Sequence, residues 1–187
     1  MRILTISGSL RAGSHNSALL RAAAELAPAG VEVLAYQGLD GLPHYNEDHD
    51  TDAPHAEVRR LRETIASADL VLISTPEYNG SMPGHLKAAI DWASRPFGQG
   101  SSLWGKTVAV IGASVTDYGA VWAQDHVRKS LGLAGARVID AELVVPKARD
   151  RFGGPGGELT DSETRAQLAA LLEDLVAQRT EAAAAAA

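Results

Sequence analysis

The chain has 187 residues, 45% of them hydrophobic and 21% charged, which is the composition of a globular protein and excludes an intrinsically disordered one. Its 17 basic and 23 acidic residues leave a net charge of −6, whereas proteins that coat nucleic acids or anionic membranes need an excess of lysine and arginine. Cysteine is absent, which excludes disulfides and cysteine-ligated zinc, and the N-terminal apolar run is too short for a signal or membrane-spanning segment, so we expect a cytoplasmic protein that binds neither membrane nor nucleic acid.

Short apolar runs alternate along the chain with stretches of helical spacing. Runs that are apolar on consecutive residues predict strands covered on both faces, as in a parallel sheet: Ile3 to Ile6, Val31 to Ala35, Leu70 to Ile73, Val108 to Ile111 and Leu143 to Val145. Apolar residues three or four apart predict the helices that follow, around Val58 to Ala68, Leu86 to Ala93, Ala123 to Ala134 and Leu168 to Val176. A further helix follows the loop after the first strand, and five strands alternating with five helices predict an open, doubly wound α/β sheet.

Three stretches interrupt this alternation and are predicted to be loops, because they are rich in glycine, proline or acidic residues: 37–53, 94–106 and 147–158. The last helix is expected to begin at a capping box formed by Thr160 and Glu163. We expect a single domain over residues 1–181, followed by a frayed, low-complexity alanine tail over residues 182–187.

The segment after the first predicted strand, residues 7–17, has the composition of a phosphate-binding loop. Gly8 and Gly13 allow backbone N–H groups to approach an anion, Arg11 supplies positive charge, and the following helix N-terminus adds its dipole. Neutral donors are supplied by Ser9, Ser14, Asn16 and Ser17. Neither the Walker A pattern nor G-x-G-x-x-G is present. The alternative, in which the serines and glycines only form a turn and Asn16 caps the helix, does not explain the arginine.

A second loop follows the third predicted strand and reads P-E-Y-N-G-S-M-P-G-H-L-K over residues 76–87. Parallel strands present their carboxyl ends at one edge of the sheet, so this loop is expected to lie beside the first one. It presents an aromatic ring, an amide and exposed backbone, which suit a planar heteroaromatic ligand with hydrogen-bonding edges. Taken alone the segment is ambiguous, since proline, asparagine and glycine are common turn residues.

Together, the patterns G-S-x-R-x-x-S-x-N and P-E-Y-N-x-S-x-P-G-x-L-K resemble the NADPH-dependent FMN reductase family, and the resemblance extends from Met1 to about Val145. It implies a flavodoxin-like, three-layer α/β/α sandwich with a five-stranded parallel sheet in the order 2-1-3-4-5. It also implies FMN as cofactor, NADPH or NADH as reductant, and a homodimer or homotetramer.

The resemblance also implies where FMN is held. The FMN phosphate would be bound by Ser9, Arg11, Asn16 and Ser17. The isoalloxazine ring would be lined by Pro76, Glu77, Tyr78 and Asn79. A third loop, over residues 113–119, would contact the other edge of the flavin, with Ser114, Tyr118 and Gly119 as the candidates. This third loop departs from the family, which commonly has a Gly-Gly pair and an arginine where this chain has Gly119-Ala120-Val121-Trp122.

The chemistry implied is reduction of free flavin, quinones or similar small-molecule acceptors by NAD(P)H, with hydride transfer through FMN and ping-pong kinetics. Because flavin carries the difficult step itself, no catalytic side chain is expected, and no Ser/His/Asp or HExxH constellation stands out in the sequence. The alternative is a flavodoxin-like electron carrier that holds FMN and docks on basic partners without nicotinamide activity.

Two further groups of residues admit more than one interpretation. Histidines and aspartates alternate between His44 and His55, but the spacing does not match an EF-hand, so a solvated acidic loop without a metal is the prediction. Trp92, Phe97 and Trp104 are either ordinary packing residues or part of a subunit contact, which the family resemblance favours.

Overall fold

The computed structural model describes residues 1–185, and the side chains of residues 1–181. Its centre is a five-stranded parallel sheet in the order β2-β1-β3-β4-β5, which confirms the predicted order. The strands are β1 (Arg2–Ser7), β2 (Glu32–Ala35), β3 (Leu70–Thr75), β4 (Thr107–Ala113) and β5 (Arg137–Val145). All residues of β3 and β4 are buried, as expected for the inner strands of a sheet that is covered on both faces.

Helices cover both faces of the sheet: α1 (His15–Glu25), α2 (Ala56–Ser67), α3 (Gly84–Ala93), α4 (Val121–Leu133), a short α5 (Ala148–Arg151) and α6 (Ser162–Ala185). Alternate strand residues point into two separate cores. Ile3, Leu70 and Leu72 pack with α1 and α6 on one face. Leu4 and Val71 pack with α2, α3 and α4 on the other. The three-layer α/β/α sandwich predicted from the family resemblance is therefore confirmed.

The fifth strand is longer than the sequence predicted. It begins at Arg137, six residues before the apolar run from Leu143. The first half of this edge strand carries the polar residues Asp140 and Glu142, so it shows no continuous apolar run. The register between β4 and β5 also shifts between Val108 and Val110. A continuous apolar run marks only the part of an edge strand that is buried on both faces.

The segment 147–158, predicted to be a loop, contains α5 and a short antiparallel hairpin, β6 (Phe152–Gly153) and β7 (Glu158–Leu159). The predicted capping box of α6 is also wrong: Thr160 donates to the Arg151 carbonyl instead. Asp161 takes the capping role, since its carboxylate accepts from the Thr164 backbone N–H at 2.9 Å.

The last helix is continuous through Ala185, which includes the beginning of the predicted alanine tail. The rest of that tail, residues 186–187, lies outside the described residues, so its fraying stays a prediction. Within residues 1–185, no helix combines the length with the apolar character that crossing a membrane requires.

Candidate functional site

Three loops meet at the carboxyl edge of the sheet. We call them the β1 loop (residues 8–14), the β3 loop (76–83) and the β4 loop (114–120). The strand order reverses between β1 and β3, and ligands of open α/β sheets bind at such a point. The fold therefore brings together every loop in which the sequence placed a candidate binding residue.

The β1 loop forms an array of free backbone donors. The N–H groups of residues 10–13, and those of His15 and Asn16 at the start of α1, donate to no acceptor within residues 1–185. Arg11 beside them is exposed, and its guanidinium forms no hydrogen bond or ion pair with that part of the chain. Free amides at a helix N-terminus together with an unpaired arginine form a site for a phosphate group.

The serines of this region play unequal roles. Ser14 is buried and caps α1, because its hydroxyl accepts from the Ser17 N–H at 3.3 Å. The Ser17 hydroxyl lies 2.9 Å from that of Ser7, which also donates to the Ser9 carbonyl at 3.2 Å. The Ser9 hydroxyl itself has no partner among the described residues. Ser7, at the end of β1, is thus a supporting residue that the sequence patterns did not single out.

Asn16 is buried beneath the loops and connects three parts of the chain. Its Oδ1 accepts from the Ala113 backbone N–H at 2.9 Å and from the Ser74 hydroxyl at 2.8 Å. Its Nδ2 donates to the Ala113 carbonyl at 2.9 Å. One N–H of the carboxamide is left for a ligand, so most of the hydrogen-bonding capacity of this side chain holds α1 against β3 and β4.

His85 was missed by sequence reasoning, although it occupies a variable position within the second quoted pattern. Its Nε2 lies 2.9 Å from the Gly8 carbonyl, which only accepts, so Nε2 carries the proton. Gly8 in turn donates its N–H to the Ser74 carbonyl at 2.8 Å. A Cβ on Gly8 would lie 2.9 Å from Leu86 Cδ2 on α3 and 3.3 Å from Pro76 Cδ and from the Ser74 carbonyl oxygen, so glycine allows the β1 loop to pack closely against these segments.

A tight turn forms the tip of the β3 loop. Tyr78 and Ser81 exchange backbone hydrogen bonds of 3.0 and 3.1 Å around Asn79 and Gly80, whose φ angles are +53° and +74°. Positive φ angles at both central residues match a type I′ turn, in which asparagine followed by glycine is the favoured pair. The turn leaves the Tyr78 and Asn79 side chains exposed, while Pro76 is buried behind them. The N–H groups of Glu77, Asn79 and Gly80 donate to no acceptor within residues 1–185.

Two side chains connect the β3 loop to α4. The half-buried Glu77 carboxylate accepts from the Ala123 N–H at 3.2 Å, in the first turn of that helix, where negative charge is favoured. The Ser81 hydroxyl lies 3.0 Å from His126 Nδ1. The Glu77 side chain therefore has a structural role that its position in the motif did not reveal.

The β4 loop contains two consecutive left-handed residues, Gly119 at φ +57° and Ala120 at φ +66°. This is the position where the family commonly has two glycines, and the backbone explains the preference. A Cβ at Gly119 would lie 2.4 Å from Val144 Cγ1. On the outside of the loop, Tyr118 is 58% exposed and packs against Trp122, with ring centroids 4.7 Å apart and ring planes tilted by 44°. The Ser114 hydroxyl bonds to that of Thr116 at 3.0 Å.

His15 lies at the start of α1 and packs on the segment that follows β5, with its ring centroid 5.0 Å from that of Phe152. Partial burial, and then the positive charges of Arg11 and Arg149, lower the pKa of His15 below its usual value near 6.5. The imidazole is therefore neutral at pH 7.

A cavity of about 480 Å³ lies beside the β1 loop, between α1 and the edge strand β2. Ser9, Arg11 and Ser17 line one side of it, and Val33 and Ala35 of β2 line another. These three β1-loop and α1 residues are accordingly accessible from the β2 side of the sheet.

Of the remaining aromatic and acidic candidates, Trp92 and Asp50 have structural roles. Trp92 is 1% exposed, and its indole N–H donates to the Pro43 carbonyl at 2.9 Å, so its assignment to a subunit contact is wrong. Phe97 and Trp104 remain exposed. In the predicted acidic loop, Asp50 pairs with Arg62 at 2.7 Å. Among the described residues, no three His, Asp or Glu side chains are grouped as metal ligands would be.

The three loops match the chemistry of FMN. The free amides and Arg11 of the β1 loop suit its phosphate, and the free amides of the β3 loop suit the polar edge of a flat ring. These donors have no acceptor within residues 1–185, so they are available to a ligand.

The comparisons with known proteins agree with this geometry. The chain is 43% identical over 162 residues to an NAD(P)H-dependent FMN reductase of Pseudomonas aeruginosa, covering 86% of each. It is 38% identical over 178 residues to a 2-hydroxy-1,4-benzoquinone reductase of a Burkholderia species, covering 95% of each. Among solved structures, it matches a flavoenzyme NAD(P)H:(acceptor) oxidoreductase of Paracoccus denitrificans with a TM-score of 0.85 and 36% identity, covering 96% of this chain and 97% of that one.

The sequence profile of the NADPH-dependent FMN reductases matches residues 1–150. This range contains the β1, β3 and β4 loops and the whole five-stranded sheet. The chain belongs to the NADPH-dependent FMN reductase family.

Proposed function

We propose that the protein is an FMN-dependent NAD(P)H oxidoreductase that reduces free flavin, quinones or similar small-molecule acceptors. The observation that carries the proposal is the pair of loops with free backbone donors at the reversal point of the sheet, one of them beside the unpaired Arg11. The names of the relatives, which include an FMN reductase and quinone reductases, support the same reaction class.

The phosphate of FMN is assigned to the β1 loop. Arg11 and the amides of residues 10–13 supply most of its donors. The hydroxyls of Ser9, Ser14 and Ser17 and the remaining N–H of Asn16 complete the set. Because Ser14 and Asn16 also hold the loop in place, their contribution is partly that of positioning.

The ring is assigned to the other two loops. Pro76 and the backbone of Glu77 to Asn79 line one edge, and Ser114, Tyr118 and Gly119 line the other. Tyr78 and Tyr118 are exposed, and we assign their side chains to contact with an incoming nicotinamide or acceptor. A ring that is held largely by backbone groups leaves few side chains to select the second substrate, which favours a permissive pocket.

FMN, when bound, supplies the position that accepts hydride from the nicotinamide and delivers electrons to the acceptor. The protein binds and orients it, and no side chain of the three loops is required as acid, base or nucleophile. One pocket that serves both nicotinamide and acceptor in turn implies ping-pong kinetics.

An absorbance titration tests this function. The purified protein is mixed with FMN, then with NADPH under anaerobic conditions, and finally with a benzoquinone. We expect a bound-flavin spectrum that bleaches with NADPH and returns with the quinone. Bound flavin that NADPH does not bleach would identify an electron carrier instead, and absence of flavin binding would contradict both functions.

We also propose a cytoplasmic homodimer or homotetramer. Phe97 and Trp104, on the segment between α3 and β4, are exposed, and aromatic residues are enriched in subunit contacts. Light scattering on the purified protein measures the assembly directly, and a monomeric mass across the micromolar range would contradict it.

A further inference from the structure

We propose that the cavity between α1 and β2 binds the adenosine monophosphate half of FAD, so that FAD as well as FMN is a flavin ligand of this protein. The inference rests on the proposed function, because it starts from a flavin phosphate at the β1 loop. FMN does not account for the cavity, since the β3 and β4 loops, to which its ring is assigned, follow strands on the other side of β1.

The cavity has walls from three elements. One wall is a face of α1, on which Leu20 and Ala24 lie one helical turn apart. A second wall is β2, where Val33 and Ala35 share one side of the strand as alternate residues do. The third is the segment 36–40 that follows β2. The volume of about 480 Å³ falls within the range of about 300 to 1,000 Å³ that small-molecule sites occupy.

The cavity is continuous with the phosphate site. Ser9, Arg11 and Ser17, which are assigned to the FMN phosphate, also line it. A group joined to that phosphate on the side away from the ring would therefore enter the cavity directly. FAD is FMN extended at its phosphate by adenosine monophosphate, so it is the flavin whose additional half begins at this position.

A second arginine lines the cavity one helical turn beyond the phosphate site. Arg21 follows Ser17 by four residues on α1, and one N–H group of its guanidinium donates to the Gly156 carbonyl at 3.0 Å. The other donors of this guanidinium form no hydrogen bond within residues 1–185. Arg11 and Arg21 together therefore match the two phosphates of FAD, whereas FMN has one phosphate for the same two cations.

The rest of the lining suits adenosine. Leu20 and Ala24 on α1, with Val33 and Ala35 on β2, provide the apolar side chains that a flat ring needs for burial. Asp40 lies at the third wall, is exposed, and its carboxylate has no partner in the described part of the chain, residues 1–185. A free carboxylate after the strand next to a phosphate-binding loop is a suitable acceptor for the hydroxyls of a ribose.

The test compares FAD with FMN on the flavin-free full-length protein by isothermal titration calorimetry. We expect FAD to bind at least as tightly as FMN. Ala24→Phe places a ring in the cavity from an exposed position of α1, and it should weaken FAD binding about tenfold while changing FMN binding less than about twofold. Asp40→Ala should weaken FAD binding about fivefold and leave FMN binding unchanged.

A matched control is Ala66→Phe, the same substitution at an exposed position of α2, on the other face of the sheet. It should leave both dissociation constants unchanged. Wild-type protein that binds FAD about tenfold more weakly than FMN would overturn the inference. Equal effects of Ala24→Phe on the two flavins, or no effect on either, would also overturn it.

The reductant is the other source of an adenosine phosphate. If Ala24→Phe raised the KM for NADPH and left the affinity for FAD unchanged, the cavity would belong to the nicotinamide nucleotide and the inference would be wrong. A wild-type protein that binds neither flavin would instead overturn the proposed function, and this inference with it.

Discussion

The carboxamide of Asn16 joins segments that are far apart in the sequence. It bonds to both backbone groups of Ala113 and to the hydroxyl of Ser74, and all three partners are buried. This side chain therefore fixes the start of α1 against β3 and β4, while the bonds of Gly8 to Ser74 and His85 fix the β1 loop before it. Loss of that side chain should affect folding before it affects binding.

Asn16→Ala leaves the N–H and carbonyl of Ala113 and the Ser74 hydroxyl without partners. We expect the free energy of unfolding to fall by about 3 kcal/mol, the range for buried polar groups left unpaired. Urea unfolding followed by circular dichroism measures the change. Ser17→Ala is the comparison, because the half-buried Ser17 hydroxyl bonds only to that of Ser7 and its loss should cost less than about 1 kcal/mol. Equal effects of the two variants would contradict the assigned role.

Arg11 presents the opposite case, a side chain without a structural partner in residues 1–185. Arg11→Ala should weaken FMN binding by about 2 kcal/mol, as expected for one charge-assisted hydrogen bond, and should leave the urea midpoint unchanged. Isothermal titration with FMN measures the first effect. Wild-type affinity in this variant would remove the β1 loop as the phosphate site.

The motifs predicted which residues lie in the loops at the strand ends, but they did not predict how these loops contact other segments. Ser9, Arg11 and Asn79 are found in the loops where the patterns placed them, since a loop at a strand end depends on local sequence. His85 and the carboxylate of Glu77 connect one loop to another segment. Such contacts depend on which loops the sheet order brings together, and no spacing along one segment encodes that.

Arg128 on α4 supplies hydrogen-bond donors where the sheet is irregular. Where the register between β4 and β5 shifts, its guanidinium donates to the carbonyls of Ile139, Val110 and Ala141 at 2.8, 3.1 and 2.7 Å. A bulge leaves backbone groups without their regular partners, and a planar guanidinium can reach several of them at once. This arginine belongs to the fold and not to the site.

Arg128→Met keeps the aliphatic stem and removes the donors. We expect the free energy of unfolding to fall by about 3 kcal/mol, because buried carbonyls lose their partners. Lys129→Met changes the adjacent, exposed residue and should alter stability by less than about 0.5 kcal/mol. Both values come from chemical denaturation, and a loss below 1 kcal/mol for Arg128→Met would contradict the role.

The cap of α6 makes the stability of the fold depend on pH. Hydrogen bonds from the Thr164 hydroxyl and backbone N–H, and then from Arg151, lower the pKa of Asp161 to about 2, against 3.8 without them. A lowered pKa means that the carboxylate stabilises the folded state above pH about 4, and that this stabilisation is lost as the pH falls toward about 2.

The difference in urea midpoint between wild type and Asp161→Ala should accordingly be constant from neutral pH down to about 5 and shrink between about 4 and 2. Glu163→Ala, in the same helical turn, provides the comparison and should show a small effect throughout. A difference for Asp161→Ala that persists undiminished at pH 2.5 would exclude the charged cap as its cause.

The predictions of secondary structure were correct for the strands that are buried on both faces of the sheet. All runs assigned to β1, β3 and β4 are strands, because continuous apolar sequence is what an inner parallel strand requires. The first half of β5 and the hairpin after it were missed, since one is half exposed and the other consists of two-residue strands among glycines. Their existence depends on neighbours that are distant in sequence.

FMN binding at the three loops should stabilise the entire fold, because the hydrogen bonds of these loops reach both helical layers. FMN at about 100 times its dissociation constant adds about 2.7 kcal/mol to the stability of the folded state. For a chain of this length we expect a rise in Tm of roughly 5–10 °C, seen equally by far-UV circular dichroism and tryptophan fluorescence. Arg11→Ala at the same FMN concentration should show a smaller rise. A shift seen by only one probe would mean that the loops unfold separately from the sheet.

The side chains that hold the three loops together point inward, whereas Tyr78, Tyr118 and Trp122 face solvent. In the proposed site, the fold and the contacts with substrate are thus assigned to different residues. Substitutions at Tyr78, Tyr118 and Trp122 can therefore change which acceptors bind without lowering the yield of folded protein. A library randomised at those positions alone should keep a high fraction of folded, flavin-loaded members, which makes the scaffold a practical starting point for evolving reductases with new acceptor ranges.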